Sequence, residues 1–227
     1  MNWIFIHGAG CTGAVFAAQT AALGGVAIDL PGHAAPGAPS SIRECSDAVF
    51  AELDARGLHD VILCGSSMGG AIAIECALRH DPRVRGIALL GSGAKLRVAP
   101  SIIQGIERDF ENTARTAASY FFSEATPERV DAVVAMMRAV GAEQTARDYR
   151  ACDAFDRTGD LEKIDVPVVA ITGEHDVMTP PKFAHFIAER VPHGSVTIVP
   201  DAGHLVMIEQ PGRTNDALRA FAAGIRP

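Results

Sequence analysis

Short apolar runs bounded by glycine or proline alternate with longer segments of helical period, and this alternation constrains the chain more than any other feature. Strands that read as near-continuous apolar runs are buried on both faces, as in a parallel sheet covered by helices. The candidate strands are Asn2–Ile6, Gly25–Asp29, Val61–Cys64, Gly86–Leu90, Pro167–Thr172 and Ser195–Val199. Between them, Ser41 with Glu44 reads as a capping box opening a helix that stops near Gly57. A second helix is expected from Met68 to about His80, a third after an N-cap at Thr179 with Pro180 in its first turn, and a last one from Pro211 to near Gly224.

The stretch from Gly91 to Asp165 breaks the alternation. It holds no convincing strand and reads as helix after helix, one piece running from Thr126-Pro127-Glu128 to Gly141. An all-helical insertion between regular strand-helix units predicts a cap over one end of the sheet. The expected organisation is therefore an α/β core at 1–91 and 166–227, a mostly parallel six-stranded sheet flanked by helices, with a helical cap at 92–165.

Composition excludes several classes of function. The chain has 227 residues, enough for one such domain, with 48% apolar and 21% charged residues, far from the signature of disorder. Its 20 basic residues against 27 acidic ones give a net charge of −7 with no basic cluster, which disfavours nucleic acid and anionic membranes. No apolar run approaches the roughly 20 residues of a membrane span. Met1-Asn2 leads straight into Trp3–Ile6 without a basic n-region, and the five scattered cysteines read as reduced thiols, so a cytoplasmic protein is expected. Neither CxxC nor HxxxH spacing accompanies the eight histidines, and no metal or cofactor is predicted.

The chemistry concentrates at Val61-Ile62-Leu63-Cys64-Gly65-Ser66-Ser67-Met68-Gly69-Gly70. A buried strand, a G-x-S-x-G turn and an apolar helix follow in that order, the setting of a nucleophile elbow. Only Ser67 has glycine two residues away on both sides; Ser66 does not. The turn places the Ser67 hydroxyl at a helix start, where the Met68 amide can stabilise an oxyanion. A nucleotide-binding turn is the plain alternative, but G-x-G-x-x-G and GK[ST] are both missing.

A serine hydroxyl needs a base and an orienting acid. Two later strands supply them just past their C-terminal ends, as Gly173-Glu174-His175-Asp176 and Asp201-Ala202-Gly203-His204. Asp176 is the chosen acid, with Glu174 and Asp201 as weaker candidates, and His204 is the base. His33, His59, His80, His185 and His193 lack an evident partner and read as surface or structural residues.

Five ordered motifs make the chain resemble the α/β-hydrolase superfamily over nearly its whole length: His7-Gly8, Asp29-Leu30-Pro31-Gly32-His33, Gly65 to Gly70, Gly173 to Asp176, and Gly203-His204 followed by Glu209-Gln210-Pro211. The order Ser, Asp, His is that family's own. The resemblance implies that the loop after His7-Gly8 gives the second oxyanion amide, from Ala9 with Gly10 as the alternative, and that His7 is structural. It also implies that the first two strands of the fold are missing. Gly25–Asp29 then lies at a sheet edge, which its own loop at Pro31–Pro39 or a homodimer partner would have to cover.

The same triad serves several reactions. Serine at position 67 argues against haloalkane dehalogenases and epoxide hydrolases, and Leu205 after the histidine argues against hydroxynitrile lyases. Met68, Val177, Met178 and Leu205 are apolar, which suits a small-molecule carboxylic ester of small or medium apolar character, with Gly10, Val177 and Leu205 expected at the substrate. Enol-lactone opening, carbon–carbon bond hydrolysis aided by Lys95 or Arg97, and a slow-turnover ligand receptor are the alternatives.

Overall fold

Each apolar run forms a strand in the computed structural model of the protein, which describes residues 1–225. The strands are β1 (Asn2–Ile6), β2 (Val26–Ile28), β3 (Val61–Ser66), β4 (Val84–Leu90), β5 (Val168–Gly173) and β6 (Gly194–Val199). They make one sheet of order β2-β1-β3-β4-β5-β6, and every neighbouring pair is parallel. The central strands β3 and β5 are buried along their whole length, which explains why they read as unbroken apolar runs.

The helices are α1 (Ala17–Leu23), α2 (Ile42–Arg56), α3 (Met68–Ala77), α4 (Pro100–Arg108), α5 (Phe110–Ser119), α6 (Pro127–Val140), α7 (Ala142–Ala154), α8 (Pro181–Ala188), α9 (Val206–Glu209) and α10 (Pro211–Gly224). Ser41 caps α2 as expected, its hydroxyl accepting the Glu44 amide at 3.2 Å, while the Glu44 carboxylate reaches back to the Ser40 amide at 2.7 Å and not to that of Ser41; Gly57 closes the helix in the left-handed region. α3 ends three residues before His80, because Arg79 and His80 close 3-10-type bonds to Cys76 and Ala77 and His80 takes a φ of 54°.

The sheet reverses its direction of growth between β1 and β3. From β1 the chain crosses outward to β2, then returns to lay β3 on the other side. At such a switch point the loops leaving adjacent strands diverge and open a crevice at their C-terminal ends. His7–Cys11 and Ser67 leave from that place.

β2 is an edge strand, as expected, but it has only three residues. A short edge offers little to pair with, so covering it does not require a second chain.

Between β4 and β5 the chain forms α4 to α7 and no strand. Thr126 caps α6 by accepting the Arg129 amide, and Pro127 occupies its first turn. Ile106, Val130, Val133, Val134 and Met137 are buried within this segment. The segment is tied to the loop after β6. The Leu205 amide donates to the Phe121 carbonyl at 2.9 Å, and the Glu209 carboxylate receives the Ser123 amide at 3.0 Å, the Ser123 hydroxyl at 2.8 Å and the Arg129 guanidinium at 3.2 Å. Among the described residues no helix is long and apolar enough to cross a membrane, and the five cysteines are buried free thiols.

Candidate active site

Ser67 sits between the last residue of β3 and the first of α3 with φ 51° and ψ −114°, a conformation rarely adopted by a side-chain-bearing residue. Two glycines make the turn possible. A Cβ on Gly65 would lie 2.0 Å from the Gly69 carbonyl oxygen, and one on Gly69 would lie 2.0 Å from that of Ile6. The strained residue is held by its own backbone. Its amide donates to the Leu90 carbonyl at 2.9 Å, and its carbonyl accepts the Gly70 amide at 2.9 Å and the Ser92 hydroxyl at 2.7 Å.

The candidate acid and base meet across the ends of β5 and β6. His204 Nδ1 lies 3.0 Å from Asp176 Oδ2, and both residues are buried. The other carboxylate oxygen accepts the amides of Met178 and Thr179, each at 2.9 Å. Burial pushes the Asp176 carboxyl up, but the facing His204 and the Thr179 hydrogen bonds outweigh it and hold it below the usual carboxylate range. An ionised Asp176 accepts a hydrogen bond from the Nδ1–H of His204, which keeps the proton on Nδ1 and leaves Nε2 as the proton acceptor. Phe121 packs against this imidazole with ring centroids 5.8 Å apart. The Ser67 hydroxyl has no hydrogen-bond partner among the described residues, so the serine–histidine bond is not formed in this state.

The competing carboxylates stand apart. Glu174 and Asp201 are exposed, Glu174 faces His175 at 3.9 Å, and neither bonds to His204. A thiol nucleophile is also disfavoured, since burial pushes Cys11 and Cys45 up to about 12.

Two amides border the serine without a partner among the described residues: Met68, first in α3, and Ala9, in the turn where the Cys11 amide closes onto the Gly8 carbonyl at 3.2 Å. A Cβ on Gly8 would lie 3.3 Å from the Ser67 Cβ, which puts that turn directly beside the candidate nucleophile. The Gly10 alternative is corrected by its bonding: its amide already donates to Asp148 Oδ2 at 2.8 Å. Gly10 is also buried: a Cβ there would lie 3.2 Å from Met137 Cγ and from Thr145 Cγ2.

Leu205 is 3% exposed and belongs to the core, whereas Val177 is 64% exposed at the rim. Lys95 pairs with Asp156, and with Arg97, Lys182, Phe183 and Phe186 it lines an open depression of about 380 Å³ to which no triad residue contributes.

Three contacts escaped the sequence. Thr179, expected to cap α8, instead gives its hydroxyl to Asp176 Oδ2 at 2.7 Å, 3.2 Å from His204 Nδ1; α8 starts later, at Pro181. Asp176 captures the threonine because its carboxylate closes a local turn over residues 176–179. His33 has a partner after all, Asp148, at 2.7 Å, and His80 pairs with Asp165 at 3.1 Å.

Residues 3–217 match the sequence profile of the alpha/beta hydrolase family. A pimeloyl-[acyl-carrier protein] methyl ester esterase of Neisseria meningitidis is 28% identical over 88% of this chain and 83% of its own. A 3-oxoadipate enol-lactonase of Acinetobacter baylyi is 27% identical over 86% of this chain and 77% of its own. Among solved structures, a thermophilic esterase superposes with a TM-score of 0.91 at 29% identity, covering 99% of this chain and 90% of its own.

Proposed function

Because the chain belongs to the alpha/beta hydrolase family, we propose that it is a serine hydrolase cleaving carboxylic esters of small or medium apolar substrates through an acyl-enzyme on Ser67. The observation that carries this reading is the buried Asp176–His204 pair, 3.0 Å apart, at the same end of the sheet as a serine held at φ 51°. A carboxylate that orients an imidazole near a serine so held is the arrangement that activates a hydroxyl nucleophile.

In this mechanism His204 Nε2 takes the Ser67 proton as Oγ attacks the ester carbon. Asp176 stabilises the imidazolium that forms, and the Met68 and Ala9 amides receive the charge on the carbonyl oxygen. Collapse expels the alcohol, which leaves with the proton from His204. Water, deprotonated by the same imidazole, then attacks the acyl carbon, and release of the carboxylic acid restores Ser67.

Helices α4 to α7 act as the cap of this reading, at 92–165 over a core of 1–91 and 166–227. Their position at the catalytic end of the sheet and the Phe121 ring against His204 support the assignment. Such a cover excludes water from the acyl pocket and sets which chain lengths fit.

The similarity to an esterase and an enol-lactonase leaves two ester chemistries in play, since a lactone is a cyclic ester opened by the same steps. The test is labelling by a fluorophosphonate with peptide mapping, together with turnover of p-nitrophenyl esters of graded chain length and of an enol-lactone. Labelling at Ser67 with faster turnover of the open esters is expected. Labelling elsewhere, or no turnover of either class, would overturn the reading.

A further inference from the structure

Asp148, on α7, is the most completely enclosed carboxylate of the helical insertion, with its side chain 2% exposed. A carboxylate placed there is costly unless donors meet it. Three do. Oδ1 accepts the Gln144 amide group at 2.9 Å, while Oδ2 accepts the Gly10 backbone amide at 2.8 Å and the His33 Nε2–H at 2.7 Å. Gln144 belongs to the same helix, but Gly10 and His33 lie on the loops after β1 and β2, 138 and 115 residues away.

The second ring nitrogen of His33 faces the Pro31 carbonyl at 3.2 Å. Both of its partners are acceptors, so the ring is an imidazolium opposite the carboxylate. His33 packs on His7 with centroids 4.7 Å apart. His7 is the neutral member: its Nε2 accepts the Leu30 amide at 3.1 Å and its Nδ1–H donates to the Gly8 carbonyl at 2.9 Å. One carboxylate on the insertion therefore ends a chain of contacts that runs through both loops and reaches Gly8, where a Cβ would lie 3.3 Å from that of Ser67.

The effect falls on the peptide next to the oxyanion donor. Gly10 has φ 63°, and its amide is drawn toward α7 by Asp148. Ala9, one residue earlier, keeps an amide with no partner among the described residues. Fixing the Ala9–Gly10 peptide on one side fixes where the preceding amide can point.

The geometry points to Asp148 as a positioning residue for ester hydrolysis, holding the turn that presents the Ala9 amide to the reacting carbonyl oxygen by accepting the Gly10 amide. This rests on the serine hydrolase reading above. It makes the helical insertion a part of the catalytic apparatus as well as its cover.

Two variants separate this role from a purely structural one. Asp148→Asn loses the ion pair but keeps an oxygen for the Gly10 amide once the substituted side chain and that of Gln144 rotate. Asp148→Leu combined with His33→Leu removes the acceptor and the imidazolium together, which avoids a stranded buried charge and protects folding. With p-nitrophenyl butyrate, the double variant is expected to lose 10- to 100-fold in kcat with KM within about twofold, because removal of one oxyanion donor costs on the order of 10²–10³. Asp148→Asn is expected to keep kcat within about threefold. Rates of fluorophosphonate labelling at Ser67 should follow the same order. Equal kcat in a folded double variant and the wild type, or equal losses in both variants, would overturn the positioning role while leaving the hydrolase reading intact. A wild type that labels but not at Ser67 would remove both.

Discussion

The Thr179 hydroxyl donates to Asp176 Oδ2 at 2.7 Å, the same oxygen that faces His204 Nδ1. The carboxylate of the proposed triad is thus oriented by a side chain three residues along its own loop. Replacing Thr179 by Val keeps the volume and deletes that donor. A fall in kcat of about 5- to 30-fold is expected, which corresponds to about 1–2 kcal/mol, near the lower end of what a hydrogen bond to a charged group contributes. Steady-state kinetics check it, and an unchanged kcat would mean that the two backbone amides suffice to hold Asp176.

Asp176→Asn leaves the shape of the site intact but no longer fixes the proton on Nδ1 of His204. A loss of roughly 10³–10⁴ in kcat is expected with little change in KM. The measurement is ester turnover at neutral pH; retention of more than a tenth of the activity would move the acid to another carboxylate.

Ser67→Ala should abolish turnover and fluorophosphonate labelling. Its neighbour should behave in the opposite way. The Ser66 hydroxyl is buried without a hydrogen-bond partner among the described residues, so Ser66→Ala removes an unsatisfied polar group. Stability unchanged or raised by about 1 kcal/mol is expected in urea unfolding, with activity preserved. A strongly destabilised variant would show that the hydroxyl has a partner in solution.

Stability should depend on pH through the two packed histidines, with opposite signs. Burial lowers His33, but the hydrogen bond and charge of Asp148 win and raise it. Its contribution is full below the unfolded value of about 6.5 and is lost as pH rises through the raised folded value. Burial, helped by the His33 charge, lowers His7 to about 4. Its contribution is full above about 6.5 and is lost as pH falls toward about 4. Urea titrations from acid to alkaline pH should show both losses; His33→Gln should remove the alkaline one and lessen the acid one, because the His33 charge helps to lower His7. Parallel alkaline limbs in the two proteins would mean that the buried pair carries no net stability.

Glu209→Gln tests the tie between the insertion and the histidine loop. The carboxylate accepts from Gly203, Ser123 and Arg129, and an amide can satisfy only part of that set. A loss of about 1–3 kcal/mol is expected. Differential scanning calorimetry reads it directly; an unchanged Tm would assign the contact to the surface.

Sheet and elbow turn were legible because their signals are local. A strand buried on both faces is apolar in consecutive residues, and an elbow needs glycines at fixed distances from its serine, so Val61 to Gly70 announces both. Strand limits moved where pairing decides them: β4 begins at Val84, whose partner Val61 lies next to a register shift. Contacts across long separations left no such trace. Nothing near Asp148 in the sequence distinguishes it from the other acidic residues of its helix, and its meaning comes only from a glycine 138 positions earlier. Thr179 was visible but misassigned, since Thr-Pro opens helices often enough to conceal a threonine spent on a carboxylate.

The backbone of Ser67 has one further consequence. With φ at 51° the position suits glycine better than any residue with a Cβ, and the surrounding bonds from Leu90, Gly70 and Ser92 do not depend on the hydroxyl. Evolution toward greater stability and evolution toward turnover therefore pull this codon in opposite directions. A lineage released from selection for hydrolysis has an open path to glycine here, gaining a firmer fold at the moment it loses its chemistry. A serine retained at this position through divergence is accordingly a record that the chemistry was still under selection.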